Sequence, residues 1–374
     1  MPRSVRLAMR SVRRTRVAMI PPFREFRIGM PSRREGALAG VLLFLAASSV
    51  PAGAQDANLF EAVRAADMRV AGIGWRLATA NVALCDRIEA ATGLQLHTLD
   101  QFDPGAREAA GRHFHFATPV AVEGVVPDSP ADSAGLRADD SLVRVGTVDI
   151  AALPGRPGST DRLVAVQLAI AELPIDAPIA IQAIRAGTPI RTTIQPVRAC
   201  KSRFELMLDG GFGASADGTM VQIGSAFLDD YPDDQLAAVM AHEFSHNILH
   251  HRDRLEARGV DYGLLAGFGA NVKYFRQTEV QADLLSVYLL ANASYPVRAS
   301  VAFWRHFGPS KAGGILRSRS HPAWRDRVAT LEAEAAKVEP LSARPLVPAL
   351  IAGRDKPLDG DWQSILVRHQ GGRD

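Results

Sequence analysis

A chain of 374 residues is too long for one small hydrophobic core and indicates two folded units, because domains usually span about 100 to 200 residues. Its share of apolar residues, 47%, with 22% charged residues, excludes a disordered or fibrous class. The formal charge of +3 comes from ten arginines within residues 1–54; the remainder, with 33 basic and 38 acidic residues, offers no electrostatic footprint for nucleic acid.

The first residues are typical of an export signal. Paired arginines precede an apolar run over 37–50, and residues 52–54 are the small residues that signal peptidase requires. We expect cleavage after Ala54 and a periplasmic or secreted protein. An uncleaved membrane anchor is the alternative, although the run is shorter than the roughly 20 residues of a comfortable span. Met30 lies directly before the signal, so the chain starts at either Met1 or Met30.

Cysteine occurs twice, at Cys85 and Cys200, and both residues lie in the exported part. An oxidising compartment favours a disulfide between them, with two buried free thiols as the alternative. A bridge would clamp together the two ends of the segment between them.

Residues 57–93 have the apolar spacing of a helix, and Gly72 and Gly74 are expected to interrupt it. We assign 55–113 to an N-terminal helical part that packs on the later domain.

Residues 114–197 change to short β-like runs that surround one helix. The predicted strands are 115–126, 141–145, 179–184 and 190–194, and the predicted helix is 161–172. Inside this stretch, Ser129-Pro130-Ala131 leads through Ala134-Gly135-Leu136 to Asp139-Asp140 and the next strand. That order resembles the PDZ domains of exported bacterial proteases.

The resemblance implies a module that binds an extended peptide at an open sheet edge, with main-chain hydrogen bonds for affinity and side-chain pockets for choice. We expect its groove between a strand near 121–126 and the helix from Asp161. The alternative is an empty groove in a module that only spaces or regulates the second domain.

The second domain, 198–340, opens with a predicted antiparallel pair, 203–208 and 219–223, joined through a glycine-rich segment. A helix with Asp233 and Asp234 in its first turn follows. Further helices are predicted at 277–291, 296–307 and 322–337, with a loop over 308–320. The tail, 341–374, is rich in proline and glycine and is predicted to be poorly ordered.

The helix after the strand pair carries His242, Glu243 and His246 in an HExxH pattern. Residues at i and i+4 share a helix face, so both imidazoles can reach one ion while Glu243 can approach its bound water. The alternative is a pair of core histidines with no metal.

A hydrolytic zinc site needs a third protein ligand and an open fourth position. Glu279 and Asp283, stacked at i and i+4 on a later helix, supply a candidate; a solvated acidic face is the alternative. The pattern HExxH followed by E-x-x-A-D resembles the gluzincin peptidases of the HtpX and CAAX prenyl protease family. The resemblance implies one Zn²⁺, Glu279 as third ligand and Asp283 as the carboxylate that orients a ligating histidine.

Other features of the resemblance are Ala216-Asp217-Gly218, a histidine at 250 or 251, and Ser320-His321-Pro322 with Arg327 six residues after His321. In the family such a histidine lies near the metal, so His321 is expected to stabilise the oxyanion or gate access; a helix-start residue with no catalytic part is the alternative. The membrane-spanning helices of the family's better-known branches are missing from the sequence, so a prenylated substrate is not expected.

Together these patterns predict an α+β protein: a mainly helical gluzincin domain with a small sheet, and an inserted PDZ-like domain. The predicted function is zinc-dependent endoproteolysis of unfolded or misassembled envelope proteins. Glu243 acts as general base, the strand at 219–223 aligns the substrate, and the PDZ-like module captures peptide tails or regulates access. The alternatives are a latent, peptidase-like chaperone or adaptor, and a non-proteolytic hydrolase with the same ligands.

Overall fold

The computed structural model describes residues 52–208, 211–260, 269–311 and 321–370. The apolar run at 37–50 and both candidate start residues lie outside this range, so the export signal remains a prediction, and Ala54 falls in the first turn of the first helix. Among the described residues, no helix combines the length and the apolar character needed to cross a membrane.

The elements alternate between helical and β-rich stretches, which is compatible with the predicted α+β class. In chain order they are α1 (Ala52–Ala80), β1 (Ile88–Ala91), β2 (Leu94–Thr98), α2 (Pro104–His113), β3 (Val120–Val125), α3 (Pro130–Ser133), β4 (Ser141–Val145), β5 (Val148–Asp149), α4 (Asp161–Ala171), β6 (Ile179–Arg185), β7 (Thr188–Ile194), β8 (Val197–Cys200), β9 (Arg203–Met207), β10 (Ala214–Ala216), β11 (Met220–Gly224), α5 (Ser225–Asp230), α6 (Asp233–Ile248), α7 (His251–Glu256), α8 (Val272–Asn292), α9 (Ala299–Lys311) and α10 (Trp324–Val338).

Helix α1 is continuous through Gly72 and Gly74, so the predicted interruption was wrong. Packing against the second domain explains why glycine occurs at position 74. A Cβ atom on Gly74 would lie 2.5 Å from Cγ of Phe204 on β9, and the missing side chain therefore lets helix and strand approach closely. The helix ends at Ala80, and strand β1 occupies part of the region predicted as helical.

The middle of the chain forms one sheet in the order β2-β3-β4-β6-β7, with β5 paired to β4. The four predicted strands and the predicted helix, α4, all correspond to elements of this unit. Strand β2, however, pairs with β3 and lies before residue 114 in the chain. The boundary predicted at 114 is therefore too late, because one edge strand of the unit precedes α2.

The predicted peptide groove beside 121–126 is also wrong, because that strand, β3, is paired on both sides, with β2 and β4. The edge strand next to it is β2. Helix α4 packs beside β2, and Arg162 Nε donates a 2.7 Å hydrogen bond to Asp100 Oδ2 just after that strand. A groove of the predicted kind would thus run between β2 and α4.

The chain enters and leaves the β-rich unit at one place. Cys85 and Cys200 form a disulfide with their Cα atoms 5.6 Å apart. Next to it, β1 and β8 form an antiparallel pair in which Ile88 lies opposite Cys200. We call this disulfide and strand pair the neck of the unit.

The small sheet of the second domain has the order β10-β11-β9, and β9 pairs with β11 in parallel. The predicted antiparallel pairing of these two strands was wrong. The glycine-rich connection is long enough to contain β10, which returns the chain and pairs antiparallel with β11. Strand β11 thus has a partner on each side, and β10 is the edge strand on its outer side.

Helix α6 lies at the centre of the main hydrophobic core. Its apolar residues recur on one face as the sequence predicts, and all of them are buried: Leu236, Val239, Met240, Phe244 and Ile248. Helix α9 extends to Lys311, so residues 308–311 are helical where the sequence predicts a loop; residues 312–320 of that predicted loop lie outside the described residues.

The part of the tail up to residue 370 is packed against the second domain, contrary to the prediction of poor order. Leu358 is fully buried and contacts the cluster that contains Leu255, while Trp362 and Leu366 pack on Val280 of α8. A few apolar anchors hold this segment in place, although its proline and glycine content suppresses regular structure.

His97 of β2 is buried without a hydrogen-bond partner on either ring nitrogen among the described residues. The rings of Phe102, Phe114 and Phe116 surround it. Burial, together with the positive charge of Arg64, lowers the pKa of His97 to about 3. The unfolded chain therefore binds a proton at this residue before the folded protein does.

We expect this histidine to weaken the fold as pH falls. The contribution of neutral His97 to stability is fully present above its unfolded-state pKa of about 6.5 and is lost as the pH falls towards 3. Lowering the pH from 7.5 to 5.5 should therefore reduce the free energy of unfolding by about 1.4 kcal/mol through this residue. Urea denaturation at both pH values measures it, and His97→Leu should reduce the pH dependence by that amount. An unchanged dependence in the variant would contradict the assignment.

Candidate metal centre

Two packed helices bring the three predicted ligands together. His242 and His246 lie one turn apart on α6, and Glu279 lies on α8, which packs along α6. Acidic residues in the first turn of α6 favour its start, and burial of its apolar face fixes which side the histidines occupy. Each of the three side chains is partly buried.

The ligand atoms lie close to the spacing of a tetrahedral site. His242 Nε2 lies 3.4 Å from His246 Nε2 and 3.3 Å from Glu279 Oε2, and His246 Nε2 lies 3.7 Å from Glu279 Oε1. Tetrahedral zinc with bonds of about 2.0–2.1 Å requires ligand atoms about 3.3–3.4 Å apart. Two imidazoles and one carboxylate are also ligands that zinc accepts in hydrolytic sites, so these residues fit that ion.

Asp283 connects His242 to a buried arginine. Its Oδ1 lies 3.0 Å from His242 Nδ1, and Arg327 of α10 donates to both carboxylate oxygens, at 2.7 and 2.6 Å. The side chains of Asp283 and Arg327 are each 3% exposed. The guanidinium also lies 3.9 Å from the ring centroid of Trp304. The carboxylate therefore orients the ring of His242 and is itself fixed by Arg327.

Glu243 lies beside the first histidine, where burial raises the pKa of its carboxyl to about 7 despite the opposing charge of His242. Burial alone would lower the pKa of His242, but hydrogen bonds to Asp283 and Glu279 outweigh it and raise the pKa to about 9. Burial lowers the pKa of His246 to about 4. A cation bound here would therefore displace a proton from His242, whereas His246 is already neutral.

His321 is brought to the same site, with Nε2 3.3 Å from Glu279 Oε2, and is 43% exposed. It lies at the start of the segment that leads into α10, so its position suits both alternatives considered from the sequence. Arg327, in the first turn of α10, also approaches this carboxylate, with Nη1 3.7 Å from Glu279 Oε2.

Sequence reasoning left the partners of His246 unassigned. Its Nδ1 lies 2.9 Å from His251 Nδ1, and His251 Nε2 lies 3.1 Å from Gln281 Oε1. Arg254 donates to the same oxygen at 3.1 Å. The available signal was the position of Gln281 between Glu279 and Asp283, on the helix that supplies both carboxylates. No sequence pattern indicated that Trp304 packs on the guanidinium of Arg327.

Residues 262–335 match the family model for Peptidase family M48. Peptidases of this family are zinc metalloproteases, and the match supports a gluzincin-type zinc metallopeptidase. It covers Glu279, Asp283, His321 and Arg327 but begins after the HExxH motif, so the motif and the match are separate observations. A comparison with curated proteins finds no match.

We expect the Asp283 and Arg327 pair to hold the site together. Asp283→Ala leaves a buried arginine without its main counter-charge and should lower the free energy of unfolding by about 3–5 kcal/mol. Urea denaturation with a chelator present measures this without a metal contribution.

The control is a double-mutant cycle that comprises Arg327→Met, Asp283→Leu and the variant that carries both substitutions. Because the double variant buries no unpaired charge, its loss should be smaller than the sum of the single losses. Additive losses would show that the two groups do not depend on each other.

Proposed function

We propose that this protein is a zinc-dependent metalloendopeptidase. The observation that carries the proposal is the spacing of the nitrogen and oxygen atoms of His242, His246 and Glu279, close to the edge length of a zinc tetrahedron, with Glu243 adjacent on α6. A purely structural zinc site is closed by four protein ligands, whereas three leave a position for water.

When bound, zinc supplies a water of lowered pKa and polarises the carbonyl of the peptide bond. Glu243 accepts the proton of the attacking water and delivers it to the leaving amine, and a pKa near 7 suits both transfers. Asp283 and Arg327 hold His242 in orientation throughout. His321 either donates a hydrogen bond to the developing oxyanion or gates access to the site.

We propose β10, in place of β11, as the strand that aligns an extended substrate beside the site. An extended peptide can add only to a strand with a free side, and β11 is paired on both sides. Strand β10 is the edge strand, and it packs against α6, which carries the histidines. A requirement for an extended backbone implies unfolded segments as substrates, in preference to folded proteins.

The β-rich unit is proposed as a PDZ-like module that binds peptide tails between β2 and α4 or regulates access to the metal. Its strand order, with β2 at one edge beside α4, supports this assignment. Together with the export signal expected up to residue 54, the arrangement suits a periplasmic or secreted enzyme that degrades unfolded or misassembled envelope proteins.

The peptidase proposal is tested by Glu243→Gln in the protein from residue 55 onward. The variant should keep one zinc per chain and lose cleavage of an unfolded protein by about 10²-fold to 10⁴-fold, because the base is removed while the ligands remain. Metal analysis and product detection on gels measure the two effects.

Glu256→Gln is the matched control, since this carboxylate pairs with Arg252 on α7 outside the cluster. It should leave both properties unchanged. If the unaltered protein binds zinc but cleaves none of several unfolded substrates, the latent chaperone or adaptor function replaces the proposal.

Peptide binding can be mapped by hydrogen exchange of the Glu243→Gln variant with and without an unfolded substrate. We expect slower exchange in two separate segments, residues 214–216 of β10 and residues 94–98 of β2, because both edges gain main-chain hydrogen bonds. Protection in β10 alone would leave the metallopeptidase proposal intact and reject peptide capture by the β-rich unit. Protection in neither segment would reject both binding edges.

A further inference from the structure

The two ring nitrogens of His246 face different neighbours. Nε2 points to the cluster with Glu279 and His242, whereas Nδ1 lies 2.9 Å from Nδ1 of His251. A hydrogen bond between two imidazole nitrogens needs one proton: one nitrogen donates and the other accepts. The contact alone does not say which ring carries that proton.

The other end of His251 decides the question. Its Nε2 lies 3.1 Å from Gln281 Oε1, and Arg254 Nη1 lies 3.1 Å from the same atom. A guanidinium can only donate, so the shared atom of Gln281 must accept, as the carbonyl oxygen does. It follows that the Nε2 of His251 carries the hydrogen in this contact and donates it to Gln281.

With its proton on Nε2, neutral His251 presents a lone pair at Nδ1. His246 must then carry its own proton on Nδ1, and its Nε2 is left with a lone pair that points into the cluster. We infer that Arg254, Gln281 and His251 form a positioning chain that fixes the tautomer and ring orientation of His246 for metal binding. This inference rests on the proposed zinc site and assigns residues for which neither the motif nor the family match gives a role.

The chain is protected from water and anchored at its far end. His251 is 1% exposed, and Gln281 and Arg254 are 8% exposed, so solvent does not compete for these contacts. Arg254 also donates to the carbonyl of Leu249 at 3.3 Å and to that of Lys356 at 2.9 Å. The end of α6 and the C-terminal segment thereby hold the arginine that orients Gln281.

Charge explains why His246 has a neutral partner while His242 has a carboxylate. Glu243, Glu279 and Asp283 already surround the site, and Arg327 is the buried cation that contacts Asp283 and Glu279. A carboxylate in place of Gln281 would add a further buried negative charge, with Arg254 as its counter-charge. An imidazole and an amide orient the ring through hydrogen bonds without adding negative charge.

The test compares three substitutions on α8. Gln281→Leu removes the acceptor, and Gln281→Glu keeps an acceptor for both His251 and Arg254. Gln277→Leu is the matched control: Gln277 is also buried and hydrogen-bonded, to Asp359 and Gly360, but these two partners lie away from the histidines.

Two measurements are made on each protein. Zinc affinity, from competition with a chelator, should weaken about 10-fold to 100-fold in Gln281→Leu, while Gln281→Glu and the control should stay close to the unaltered protein. Long-range ¹H–¹⁵N spectra of the metal-free proteins should show the Nδ1–H tautomer of His246 in all except Gln281→Leu, where the two tautomers should mix.

Equal zinc affinity and an unchanged tautomer in Gln281→Leu would overturn the inference. An equal loss of affinity in Gln277→Leu would also overturn it, because the effect would then come from general loosening of α8. Failure of the peptidase proposal looks different: it would appear as missing zinc or missing cleavage in the unaltered protein. The tautomer measurement requires neither bound zinc nor peptide cleavage.

Discussion

The buried ion pair between Asp283 and Arg327 is the interaction on which the rest of the site depends. It joins α8 to α10 and, through the contact of Asp283 with His242, connects both helices to α6. Burying two charges is costly, and the pair tolerates burial because Arg327 satisfies both oxygens of the carboxylate. A metal centre assembled from three helices in this way forms only when all three are packed together.

The parts of this arrangement that could be predicted from the sequence are local. His242 and His246, and likewise Glu279 and Asp283, are four residues apart, and helical periodicity alone places each pair on one face. The apolar face of α6 and the strands of the β-rich unit follow from the same kind of short-range pattern. In each case the information needed lies within a few turns or a single strand.

The errors concern relations between distant segments. Whether β9 and β11 run parallel, and which strand forms the edge of each sheet, depends on pairing that leaves little trace in either strand alone. Continuity of α1 through Gly74 depends on Phe204, a residue far along the chain. The role of Gln281 likewise required the positions of His251 and Arg254, which no spacing rule connects to it.

The neck of the β-rich unit has a consequence for how such a chain can change. Ile88 and Cys200 face each other, so the chain enters the β-rich unit after α1 and leaves it before β9 at adjacent points. This would hold for any folded unit inserted between those two residues. The close contact of Gly74 with Phe204 lies outside the unit, so α1 and β9 can pack on each other without the β-rich unit. The unit is therefore exchangeable in principle: its sequence could diverge, or be replaced, while α6, α8 and α10 keep their geometry.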